Sequence, residues 1–165
     1  MILKKVIKNK SVPVSSGILK DFGKIDYFDS YQTDIIKKES IYEITARIFT
    51  IPEWVKFLMR IRNSIVGIFG LKTGDKINLQ KADQYPEDSK AIFFTIADRN
   101  ENEIVMAEND RHLNFRVSVM MIRNKSATTV YLTTIVKFNN FIGNIYFFPV
   151  KPFHRIIIQS LLRRI

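Results

Sequence analysis

Two side chains able to do chemistry stand where apolar ones are expected, Arg62 and His154. At about 100° of rotation per residue, Ile51, Trp54, Val55, Leu58, Ile61, Ile65 and Phe69 form one stripe of a helix expected over 51–69. Glu53, Lys56, Arg60, Asn63 and Ser64 lie opposite, whereas Arg62 projects between Val55 and Phe69, inside the stripe. A closing helix opened by Pro152 buries Phe153, Ile157, Ile158, Leu161, Leu162 and Ile165, with Arg155, Gln159 and Arg163 opposite and His154 near the stripe centre. A guanidinium so placed can hold a ligand carboxylate or phosphate through two parallel hydrogen bonds. It can equally form an internal ion pair with Asp110, Glu108 or Glu43, because an unpaired buried charge is costly. An imidazole in a pocket can act as general acid or base; in a packed core it stays neutral, bonded to a backbone carbonyl or a tyrosine.

Asp110-Arg111-His112 is a second candidate. On a strand, Asp110 and His112 would share a face, and a carboxylate can orient an imidazole base. No serine or threonine nucleophile can be placed beside the pair, so the competing reading is a hydrogen-bond cluster at a bend. Tyr146, with Tyr131, Phe147 and Phe148, could wall a ligand pocket or be plain core. Metal binding is not expected, since there are two histidines, no cysteines and no short ligand motif. The run from Gly70 to Lys76 fails the phosphate-loop spacing because Asp75 separates the second glycine from the lysine.

The elements that must position these residues follow from capping and periodicity. Ser40-Ile41-Tyr42-Glu43 and Thr50-Ile51-Pro52-Glu53 read as capping boxes, with Phe49 and Trp54 as a staple around the second. They predict a short helix over 40–49 and a long one over 51–69, stopped by Gly70. A strand over 27–35 precedes them, and a polar connector over 72–87, with a short strand near 77–79, follows. Alternation then predicts strands over 91–97, 103–108, 112–123 and 128–138. A loop at 98–102, a bend or bulge at Asn109-Asp110 and a turn at 124–127 separate them. Asn139 or Asn140 can cap a short helix near 142–148, ahead of the closing helix. In the long strand, Leu113, Phe115, Val117, Val119 and Met121 share one face, and His112, Asn114, Arg116 and Ser118 the other. The strand over 91–97 is apolar on both faces, so it is either covered twice or sits at an oligomer contact, which allows a homodimer.

The 165 residues carry no internal repeat, which suggests one domain, residues 26–165, behind an N-terminal extension over 1–25 broken by Pro13, Ser15, Ser16 and Gly17. The absence of cysteine removes disulfides, thiolate metal sites and cysteine nucleophiles, and fits a reducing cytoplasm. No apolar run approaches the roughly 20 residues that span a bilayer, and the basic start lacks the continuous apolar core of a signal peptide. A cytoplasmic, not transmembrane, protein is expected. The net charge is +10, and no Asp or Glu follows Asp110 while nine Lys or Arg do. That field favours anionic partners, although no short run is basic enough to mark a nucleic-acid site.

With this order in hand, the chain resembles the START-like (SRPBCC) superfamily, the helix-grip fold of the birch-pollen allergen, and within it a bacterial family of unknown function. The resemblance rests on Pro52-Glu53-Trp54, Leu58 to Asn63, Phe69 to Thr73, Asp110 to Arg116 and Pro152-Phe153-His154-Arg155. It implies an α+β fold in which a curved antiparallel sheet wraps around a long C-terminal helix, with two consecutive helices after the first strand and a cavity between sheet and helix. The helix-grip order, together with Arg62 and His154 facing inward, leads us to expect a small hydrophobic or amphipathic, even anionic, ligand, and no cofactor is expected. Arg62, His154, Asp110, His112 and Tyr146 are then the candidate ligand-binding residues, with no residue assigned to catalysis. The alternatives are an enzyme of the polyketide cyclase or dehydratase type, with His154 as base and Arg62 as stabiliser, and a basic interaction protein that meets nucleic acid or a membrane through a patch of Arg116, Arg123, Lys125 and Lys137. No nucleic-acid motif is present, so the interaction protein ranks last and nucleic acid is not the expected partner.

Overall fold

The computed structural model describes residues 5–36, 38–50, 90–91 and 94–165, the pair 90–91 by its backbone. The long helix expected over 51–69, with Arg62, Trp54 and the second capping box, lies outside the described residues, as do the Gly70 stop and the connector over 72–87.

The described elements are β1 (Ile7–Lys8), a 3-10 turn (Gly17–Leu19), β2 (Tyr27–Ile35), α1 (Ile41–Ile48), β3 (Lys90–Ala91), β4 (Phe94–Arg99), β5 (Glu103–Asn109), β6 (Leu113–Arg123), β7 (Thr128–Phe138) and α2 (Phe141–Leu162). The strands form one antiparallel sheet in the order β1-β2-β7-β6-β5-β4-β3. Consecutive strands pair as hairpins from β3 to β7, as local connections favour. The long-range pairing is β2 on β7, from Tyr27 opposite Val136 to Ile35 opposite Thr128. The protein is thus α+β, an antiparallel sheet with a C-terminal helix packed on it.

Local sequence accounts for α1. The Ser40 hydroxyl accepts from the Glu43 N–H at 3.2 Å, while the Glu43 carboxylate accepts from the Ser40 N–H at 2.7 Å. These bonds satisfy two amides that a first helical turn leaves unpaired. They also hold the Glu43 carboxyl below its ordinary range. Ile41, Ile44 and Ile48 then recur at helical spacing and are buried against β5 and β6.

Alternation sorts the sheet into two covered faces. Tyr31, Ile35, Val117, Val119, Met121, Val130 and Leu132 meet α1 and the end of α2 in the main core, with Val117, Val119 and Met121 on the side their spacing predicts. On the other face, Val105 and Ile135 are covered by Ile18 and Phe22 of the N-terminal segment. The Glu103 carboxylate, 3 % exposed, anchors that segment by accepting from the Ser16 hydroxyl, the Gly17 N–H at 2.7 Å and the Ser118 hydroxyl. Arg116 stacks over Phe22 at 5.2 Å and donates to the carbonyls of Ile18 and Lys20. Residues ahead of β2 therefore supply a strand, a plug and buried contacts.

Two local expectations are corrected and a third is met. The strand over 91–97 is two pieces, because β3 and β4 pair antiparallel (Ala91 opposite Phe94) and the chain reverses between them. Of the bend or bulge expected at Asn109-Asp110, the chain forms the bend: it turns back just past the end of β5, with the Asp110 N–H donating to the Leu113 carbonyl at 2.9 Å. Asp110 and His112 consequently do not share a strand face. The short helix and the closing helix are one continuous α2, with Pro149 and Pro152 inside it. Each proline frees the carbonyl four residues back, on Ile145 and Phe148, and both of those residues face solvent. Water can satisfy the freed groups, so the helix continues.

Candidate functional site

Three inward positions of β2, at the period of two that a strand imposes, carry Tyr27, Asp29 and Tyr31. Across the β2–β7 pair, Thr134 stands directly opposite Asp29. The facing flank of α2 carries Lys151, His154, Arg155 and Gln159, which share a side through spacings of three, four and five. Docking one element on the other builds a polar ladder. The Lys151 ammonium sits over the Tyr27 ring at 5.0 Å. His154 Nε2 lies 3.2 Å from Thr134 Oγ1 and 3.4 Å from Asp29 Oδ2. The Arg155 guanidinium lies near enough to the Tyr27 hydroxyl, and the Gln159 amide to the Tyr31 hydroxyl, to influence its ionisation.

Asp29 is the centre of the ladder and is only 1 % exposed. The Tyr27 hydroxyl donates to its Oδ2 at 2.6 Å. Its second oxygen, Oδ1, is buried with no hydrogen-bond partner, and so is Nε of Arg155. Native interiors rarely leave such atoms unpaired. Burial pushes the Tyr27 hydroxyl pKa strongly upward, and the bond to Asp29 pushes it the same way, so Tyr27 stays a neutral donor. Tyr31 is raised by burial and by the Asp29 charge. The nearby Tyr27 hydroxyl raises Arg155 above its ordinary range and keeps the guanidinium charged. Chemically, this is a buried carboxylate flanked by a cation and an imidazole, able to grip a group that both donates and accepts.

Only part of the expected set falls here. His154 points to the sheet as its stripe position predicts, but its partners are a threonine hydroxyl and a carboxylate rather than a backbone carbonyl or tyrosine. Arg62 lies outside the described residues. Tyr146 packs against the neighbouring aromatic cluster, in which the Tyr27 and Phe147 rings stand 4.8 Å apart. Asp110 and His112 belong to the far end of α2. Asn139 Nδ2 donates to the Asp110 carbonyl at 2.8 Å, Asn140 Nδ2 donates to the Arg111 carbonyl at 3.2 Å, and His112 Nδ1 meets Asn140 Oδ1 at 3.2 Å. Asn140 also caps the helix by accepting from the Gly143 N–H. At 1.5 Å per residue, His154 is about 20 Å farther along. The turn thus anchors the start of α2 and does not join the ladder.

Spacing missed Asp29, Tyr27 and Thr134, and placed Arg155 and Gln159 on the outward face. The signal for Asp29 was present as an acidic residue between two tyrosines on the inward face of a well-formed strand. Arg155 and Gln159 sit on the flank of the helix, and their long stems carry polar ends back to the sheet. Phe153, expected in the buried stripe, is instead 52 % exposed. The helix is rotated so that Ile158, Leu161 and Leu162 carry the apolar contact.

Two surface depressions lie on the opposite face of the sheet. One, of about 540 Å³, is bounded by residues including Asn9, Lys10, Val14, Gln32 and Tyr131. The other, of about 150 Å³, lies beside Gly17, Asp98 and Arg116. Neither includes a residue of the ladder. Among the described residues, no group of three or more His, Asp or Glu is placed to hold a metal ion.

Fold and site together define an α+β protein whose antiparallel sheet carries a buried carboxylate–cation ladder beneath its C-terminal helix. The chain belongs to the family described as protein of unknown function DUF2867, whose model matches residues 22–161. No curated protein and no solved structure matches it.

Proposed function

We propose that this chain is a START-like, helix-grip binding domain of the cytoplasm that holds a small hydrophobic or amphipathic molecule between its sheet and α2. The ligand's polar end sits at the ladder, and its apolar part runs along the Tyr27–Phe147 aromatic wall. The observation that carries the reading is the pair of buried, unpartnered atoms, Asp29 Oδ1 and Arg155 Nε. An acceptor and a donor left unpaired in one cluster suit a head group such as a hydroxyl or carboxylic acid, which offers both. Binding sites of this kind are mostly apolar with a few placed polar groups. Asp29 already supplies a negative charge, so a protonated or uncharged head suits the ladder better than a dianion.

Native mass spectrometry of protein purified without added ligand tests this. The expected result is a retained small-molecule adduct, lost or weakened about tenfold or more in Asp29→Asn, as expected when one charge-assisted bond is removed. Protein that carries no adduct, and whose Asp29→Asn variant is indistinguishable in a ligand panel, would overturn it.

A second reading, an enzyme acting on such a molecule, is favoured by one feature. His154 lies within 3.4 Å of a buried carboxylate, the arrangement that orients an imidazole for proton transfer. It expects turnover of the bound molecule to disappear in His154→Gln while binding persists.

A further inference from the structure

α2 is apolar on its outward side as well as on its inward one. Phe141, Ile145, Phe148, Pro152 and Ile156 recur at spacings of four, three, four and four, which places them on one line. That line runs opposite Phe147, Ile158 and Leu161, the positions that dock on the sheet side. Phe141 is 76 % exposed, Phe148 77 % and Ile156 59 %. The stripe is about 22 Å long at 1.5 Å per residue. Large aromatic and aliphatic side chains in one exposed row mark a surface that meets something.

Charge identifies what. No acidic residue follows Asp110 in the chain, so none lies on α2. Exposed Arg163 continues the line of the stripe just beyond the helix, and exposed Arg111 stands beside its start, bonded through its carbonyl to the capping Asn140. An apolar row with cations at both ends is the pattern of a helix lying in the plane of an anionic lipid surface. A second copy of the chain fits less well, because this face carries an arginine at each end and the nearest acid in the sequence is the single Asp110 beside Arg111. Among the described residues, no helix is long and apolar enough to cross a membrane. The geometry is therefore one of lying along the surface.

We propose that the outward face of α2 docks the protein on membranes rich in anionic phospholipid, inserting Phe148 and Ile156 into the interface. This inference is independent of the ligand reading, and its test does not involve the ladder. Co-sedimentation is measured with vesicles of phosphatidylcholine plus phosphatidylglycerol and with vesicles of phosphatidylcholine alone. The full chain is expected to pellet with the anionic vesicles, about tenfold or more weaker with the neutral ones, and less as salt shortens the screening length. The double variant Phe148→Ser, Ile156→Ser should bind about tenfold or more weaker, from the apolar area it no longer inserts. Both positions are exposed, so its melting temperature should be unchanged. Arg163→Glu should lower anionic binding through charge alone and provides the check if the double variant fails to fold. Absence of pelleting with anionic vesicles, or equal binding to neutral ones, overturns the proposal. So does a dimer that the double variant dissolves while vesicle binding is absent, because the stripe then covers a second copy.

Discussion

Replacing Gly143 with alanine tests the contact that sets α2 over the sheet. A Cβ built at this position would stand 2.1 Å from the His112 carbonyl oxygen and 2.9 Å from its carbon. Ordinary van der Waals contact begins at 3.4 Å, so the helix and the β5–β6 turn must separate by about 1.3 Å. Both walls are backbone, and neither can swing aside as a side chain would. Overpacking of this kind costs about 1–3 kcal/mol, and more when backbone must move. The same carbonyl accepts from the Asn139 N–H at 2.9 Å, and loosening that bond costs about 1 kcal/mol. Against this, alanine gains about 1 kcal/mol over glycine inside a helix. The net expectation is a loss of about 1–3 kcal/mol, which lowers the melting temperature of a chain this size by about 2–12 °C. Thermal and urea unfolding measure it. Asn144→Ala, next along the helix and exposed, serves as the control and should leave the protein unchanged or slightly stabler. An equal or higher melting temperature for Gly143→Ala would refute the docking of α2 on the turn. The placement of His154 over Asp29 would fall with it.

Glu103→Gln should destabilise by about 2 kcal/mol or more, since hydrogen bonds to a charged group are the stronger kind. It should also release the segment around Ile18, read as faster amide exchange there. The Asp26 carboxyl is lowered by its hydrogen bonds to Lys24 and to the Phe138 N–H. Its contribution is therefore present above the ordinary aspartate pKa near 3.8 and is lost as pH falls through the lower folded value. Asp26→Asn should flatten the acid limb of the stability–pH profile, and an unchanged limb would count against the assignment. Tyr27 is shifted the other way by burial and by Asp29. Its contribution is complete below its ordinary pKa near 10 and fades as pH rises toward the higher folded value. Alkaline titration of tyrosinate absorbance should show both Tyr27 and Tyr31 titrating late, with the later of the two lost in Tyr27→Phe.

Features set by a few adjacent residues were legible in the chain. The Ser40–Glu43 capping box, the strand from Tyr27 to Ile35, the alternation that buries Val117, Val119 and Met121, and the Asn140 cap each depend on local geometry alone. The sequence by itself therefore determined where most elements start and which side of each strand is apolar. Tertiary structure decided the rest. It carried α2 through two prolines, whose freed carbonyls belong to the exposed residues Ile145 and Phe148. It split β3 from β4 although no turn residue separates the apolar run, and it laid residues ahead of β2 over a face of the sheet. It also assembled the ladder, whose members Asp29, Thr134 and Arg155 are separated by as many as 126 positions in the sequence. Periodicity assigns a side chain to a face, but only packing assigns that face a neighbour. A carboxylate, a hydroxyl and a guanidinium become one site only when a strand pairing and a helix docking gather them around Tyr27 and His154.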